Sequence, residues 1–82
     1  MEHVSEFIRQ TRRQKNLTQK DLAVAANTTA QFISLVEKNR TKLSIKAAKR
    51  IAEKFNLNHT KLRKAYELDY LNEFVHEWNE SK

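Results

Sequence analysis

A chain of 82 residues with sixteen Lys and Arg, ten Asp and Glu and no cysteine is expected to form one small domain held by packing, without disulfides or thiolate metal sites. It contains no apolar run of about 18 residues, and MEHVSEFIRQTRRQ at the start lacks an apolar signal core, so membrane insertion and secretion are excluded as expectations and a cytoplasmic location is expected. The net charge of +6 is uneven, because residues 1–64 carry fifteen Lys and Arg against five acids while residues 65–82 carry five acids against Lys82. The first part suits a polyanion and the last does not.

Apolar spacings of three and four recur and sustained apolar/polar alternation does not, so the fold class is all-α. A first helix over residues 4–15 puts Val4, Phe7, Ile8 and Thr11 on one stripe. The chain has no glycine and no proline, and Asn16 closes this helix by taking the left-handed backbone that asparagine tolerates. Thr18 caps a second helix with Asp21 three residues on, a capping box with aspartate in the glutamate position. Leu22, Ala23 and Ala26 face inward, and Asn27 turns the corner. Thr29 caps a third helix of about nine residues with Phe32, Ile33 and Val36 on one face, closed by Asn39. Ser44 caps a fourth, with Ile45, Ala48, Ile51, Ala52 and Phe55 inward and Asn56 at its end. From Asn58 to Asn79 the pattern reads as one long helix or two short ones, in which Leu62, Ala65 and Tyr66 are followed by Leu71, Phe74, Val75 and Trp78 at i, i+3, i+4 and i+7. No internal repeat or low-complexity segment is visible.

The second and third helices have the residue types of a helix-turn-helix unit, two short helices joined by a tight turn. Counted from Gln19 as position one, the apolar positions four, eight, fifteen and eighteen are Leu22, Ala26, Ile33 and Val36. Position five, where the two backbones cross closely, is Ala23, and position nine, which needs positive φ, is Asn27. With Arg12 in RRQK, the run LTQKDLA, the turn NTT, the helix AQFISLVEKN and LSIKAAKRIAEKFNL behind it, the chain resembles the Xre family of helix-turn-helix proteins over residues 5–57. That family includes the lambda-type phage repressors and the small controller proteins of restriction–modification systems. Asparagine stands for the usual glycine at 27 and 39, and Leu43 stands where many members have proline.

The resemblance implies a four- to five-helix lambda-repressor-like domain over residues 1–57, and the apolar pattern beyond it reads as a C-terminal helical extension over residues 58–82, together one structural unit. The resemblance also implies that the third helix enters the DNA major groove. Thr29, Ala30 and Gln31 would then lie nearest the bases, with Ser34 and Leu35 one turn along. Gln31 can pair with adenine N6 and N7, and the Thr29 and Ala30 methyls and Leu35 can meet thymine methyls. Thr18 and Gln19 would contact phosphate, as would Lys38, Arg40, Lys42 and Lys46 along the following loop. Arg12 and Glu37 resemble the family's ion pair between the first and third helices. Outside this context each polar residue would read as ordinary solvated surface.

Leu71, Phe74, Val75 and Trp78 make a stripe too large to leave exposed, so they fold back on the domain, pair with a second copy or dock an antagonist protein. A homodimer is expected, which would set two recognition helices about 34 Å apart on an inverted repeat. Catalysis has no support: no serine or cysteine stands in a recognisable frame with a histidine, and a glycine-rich phosphate loop is excluded. His3, His59 and His76 lack metal-ligand spacing, and Glu73, His76 and Glu77 read as chance neighbours on a solvated helix, so no metal or cofactor is expected. A membrane-surface helix is disfavoured because the long helix is acidic. The expectation is a sequence-specific double-stranded DNA-binding transcriptional regulator of a bacterium, phage or mobile element. Family precedent points to repression. EKNRTKLSIK also resembles the controller subgroup, which leaves activation through RNA polymerase open, as is antitoxin-type autoregulation. The reading from another class is a protein-interaction module working through its acidic C-terminal helix.

Overall fold

The computed structural model describes residues 3–70, which form five helices and no strands: α1 Val4–Gln14, α2 Gln19–Ala26, α3 Ala30–Glu37, α4 Ile45–Phe55 and α5 His59–Tyr70. The all-α expectation therefore stands, with α1 ending one residue earlier than its stripe suggests. The segment containing Leu71, Phe74, Val75 and Trp78 lies outside the described residues.

Helix starts follow the side-chain caps. Thr18 Oγ1 accepts from the Asp21 N–H at 3.0 Å while Asp21 Oδ2 accepts from the Thr18 N–H at 2.8 Å, so the aspartate completes a full capping box. Thr29 Oγ1 accepts from Phe32 N–H at 3.1 Å, Ser44 Oγ from Ala47 N–H at 3.1 Å, and Asn58 Oδ1 from Lys61 N–H at 3.0 Å. Each bond satisfies a first-turn donor that the helix itself leaves unpaired. The start of α1 differs, because His3 precedes it without a side-chain cap of its own. Asp69 near the end of α5 supplies the acceptor instead: its Oδ2 takes the Val4 N–H at 3.0 Å, and its Oδ1 pairs with the His3 ring.

Helix ends follow the asparagines. Asn16, Asn27, Asn39 and Asn56 have φ of 56°, 57°, 60° and 55°. In each case the next residue's N–H reaches back across the turn: Leu17 to the Arg12 carbonyl, Thr28 to Ala23, Arg40 to Leu35 and Leu57 to Ala52, all at 2.9 Å. That six-to-one bond is the mark of the Schellman motif, usually built on glycine. A four-helix frame with four sharp exits is thus made by asparagine alone.

One core serves all five helices. Ile8, Leu22, Ile33, Val36, Ile45, Ile51 and Leu62 are the largest side chains sealed from solvent, and Ala23, Ala48, Ala52 and Ala65 fill the close approaches between helices. Leu43 and Leu57 are buried although they lie in turns, where helical periodicity does not count them. Thr11 and Phe55 sit only half-buried. The core crosses residue 57 without a break, since α5 packs against α1 and contributes Leu62, Ala65 and Tyr66.

Candidate nucleic-acid interface

The helix-turn-helix unit is α2, the turn at Asn27, and α3. The residues expected to fit α2 against α3 do so: Leu22, Ala23, Ala26, Ile33 and Val36 are all buried. What remains outward on α3 is a strip of candidate readers. Thr29, Gln31 and Leu35 are exposed, with Gln31 and Leu35 one turn apart, and Ala30 and Ser34 form a half-buried row beside them. Because the Thr29 hydroxyl oxygen accepts the Phe32 N–H, its methyl is the group best suited to meet a thymine.

A buried carboxylate fixes that strip. Glu37, 5% exposed, ends α3. Its Oε2 accepts from Arg12 Nε at 2.7 Å and its Oε1 from Arg12 Nη2 at 3.1 Å, a two-pronged charge-assisted pair. Arg12 Nη1 also donates to the Leu17 carbonyl at 3.0 Å, which ties the turn after α1 to the same knot. The hydrogen bond to Glu37 raises the Arg12 pKa above its ordinary value against the opposing cost of burial, and the carboxylate's charge adds to the rise.

Gln19 also joins the knot. Its Nε2 donates to Glu37 Oε1 at 3.2 Å, so the side chain proposed for a phosphate is partly committed to the knot. The buried carboxylate has a third donor within reach, and the start of α2 supplies it. An amide retains a second N–H, and α2 begins at Gln19 with its first backbone donors beside it.

Around the knot lies an open cleft of about 220 Å³ lined by Arg9, Arg12, Arg13, Gln19, Ser34, Glu37 and Lys38. Four cations and one carboxylate make it electropositive, a setting for a phosphate. Arg9 and Arg13 were not among the sequence candidates. Their i, i+4 spacing beside Arg12 was the available signal, and Arg9 Nη1 reaches the Glu37 main-chain carbonyl at 3.5 Å.

The remaining cations follow α3. Lys38 and Arg40 are exposed at its Schellman end, and Lys46 is exposed in the first turn of α4. Lys42 has a partner not foreseen, because its Nζ stands 4.9 Å from the centre of the Tyr70 ring. A second groove, of about 480 Å³, runs between this loop and the end of α5, with Arg40 and Lys42 on one wall and Asp69 and Tyr70 on the other. Among the described residues no cluster of three His, Asp or Glu is close enough to hold a metal ion, and no helix is long and apolar enough to cross a membrane. Val24 and Leu35 are the exposed large apolar residues there, and Val24, 70% exposed on α2, is of the ordinary isolated kind.

Comparison with known proteins agrees with this geometry. A helix-turn-helix family model matches residues 8–62, from within α1 to within α5. Neither the curated proteins nor the solved structures give a match. With two thirds of its length matched, the chain belongs to the Xre-like helix-turn-helix family of DNA-binding regulators.

Proposed function

We propose that the protein is a cytoplasmic, sequence-specific repressor of a bacterium, phage or mobile element that binds an inverted-repeat operator as a homodimer. The observation that carries this reading is the Arg12–Glu37–Gln19 knot, which ties the end of α3 to α1 and α2 and so sets its outward strip among cationic residues. Thr29, Ala30, Gln31, Ser34 and Leu35 read bases. Thr18, Gln19, Lys38, Arg40, Lys42 and Lys46 hold phosphates, joined by Arg9 and Arg13. Thr18 can do so while capping α2, since a hydroxyl that accepts the Asp21 N–H still has its own proton to donate. Phosphate contacts fix position and respond to salt, and base contacts decide sequence.

Residues 1–57 form the reading part and residues 58–82 the extension, in which Leu71, Phe74, Val75 and Trp78 pair the two copies. Occupancy of a site overlapping a promoter would then silence it. Selection from random duplex DNA at physiological salt tests the reading: an enriched inverted repeat with half-sites about one turn apart is expected. Salt-sensitive bulk binding without enrichment would instead favour a protein-interaction module built on this fold.

A further inference from the structure

We infer that α5 positions the cationic loop ahead of α4, with Tyr66 and Tyr70 as positioning residues for Lys42 and its neighbours on DNA backbone phosphates. The inference rests on the DNA-binding reading above and goes beyond it by giving α5 a part in binding.

The loop from Lys38 to Ser44 carries cations at 38, 40 and 42 and has neither glycine nor proline. Its first end is secured by the Arg40 N–H on the Leu35 carbonyl at 2.9 Å, and its last by the Ser44 cap on α4. Three consecutive residues near its end are held by α5. The Tyr66 hydroxyl donates to the Leu43 carbonyl at 2.6 Å, with the Ser44 carbonyl at 3.4 Å. Tyr66 is 3% exposed and Leu43 is also 3% exposed, so this bond lies inside the core. One turn along α5, the Tyr70 ring stacks on Tyr66 with centroids 5.8 Å apart and 26° between planes. Lys42 Nζ lies over that second ring.

The Tyr66 hydroxyl pins the backbone from which Lys42 projects, and the ring face restrains the far end of its side chain. An ammonium over a ring face still turns donors outward. Ordering a long cationic side chain before it binds removes part of the entropy cost of binding.

The test uses the full chain and a labelled random-sequence duplex, titrated at several salt concentrations, with melting followed in parallel. Tyr66→Phe is expected to weaken binding by about threefold to tenfold and to flatten the salt slope by about one phosphate's share. Tyr70→Leu is expected to do the same, whereas Tyr70→Phe, which keeps the ring, should bind as the native protein does. If Tyr66→Phe fails to fold, the Tyr70 pair decides the matter. Native affinity and slope in both Tyr66→Phe and Tyr70→Leu, even with lowered melting temperatures, would overturn the inference and leave the DNA reading intact. No duplex binding by the native protein would remove that reading, and this inference with it.

Discussion

The last turn of α3 and the far end of the loop after it are fastened by different chemistry. At the helix-turn-helix side the anchor is ionic, a nearly sealed carboxylate gripped by Arg12 and Gln19. At the α5 side it is neutral, a phenol donating to a main-chain carbonyl. A buried charge costs several kcal/mol when its partner is removed but contributes little net when the pair is intact. A neutral hydrogen bond is worth about 0.5–1.5 kcal/mol net. The ionic side is thus specific in geometry and fragile to single changes, whereas the neutral side is tolerant.

The largest expected effect comes from breaking the ionic side. Arg12→Met leaves Glu37 buried with only Gln19 as a side-chain donor and should cost about 3–5 kcal/mol in urea unfolding. The paired change Arg12→Met with Glu37→Leu should recover most of that loss, and failure to recover would mean that the knot contributes net stability. Next comes the core across residue 57: Leu62→Ala should cost about 2–5 kcal/mol, and a loss below 1 kcal/mol would detach α5 from the folding unit. Gln31→Ala, outside both anchors, should leave melting unchanged and cost about 1–3 kcal/mol on the selected operator. Equal weakening on every duplex would deny it a base-reading role. Replacing Asn27 by alanine should cost about 1–2 kcal/mol, since a Cβ without a local hydrogen-bonding group strains the left-handed backbone; an unchanged midpoint would show that the turn adopts another conformation. The smallest effect concerns Tyr70, whose hydroxyl is held neutral above the usual tyrosine range by burial first and by the Asp69 charge second. Because the folded value is raised, the associated stability is complete below the unfolded tyrosine value and is lost as pH rises through the folded one. Ultraviolet titration of native protein against Tyr70→Phe would place that proton.

The asparagine exits and the Thr and Ser caps were legible because they depend on residues within one turn of each other, and a chain without glycine leaves few candidates for a left-handed corner. The packing of α2 on α3 was legible for a related reason: Leu22, Ala23, Ile33 and Val36 sit at offsets fixed by helix geometry. What escaped the sequence spans distance. Asp69 caps a helix that begins 65 residues earlier, and the Tyr66 hydroxyl meets a carbonyl 23 residues away. Periodicity says which face is apolar, and no periodic signal says which polar atom will lie opposite after folding. Gln19 illustrates the same limit inside the site. Its position at the start of α2 pointed to phosphate, but the need of Glu37 for another donor was visible only once α3 had been laid against α1 and α2.

The four left-handed asparagines also give the molecule a way to age. Asparagine is among the thermolabile residues, and hydrolysis of its side-chain amide, in which water adds to the carbonyl carbon as ammonia leaves, makes an aspartate. At Asn16, Asn27, Asn39 and Asn56 the new carboxylate would stand at the negative end of a helix dipole, where a like charge costs about 0.3–1 kcal/mol. The corners that spare the chain any glycine therefore couple its chemical history to its stability, and a stored sample would acquire negative charge and lose melting temperature together.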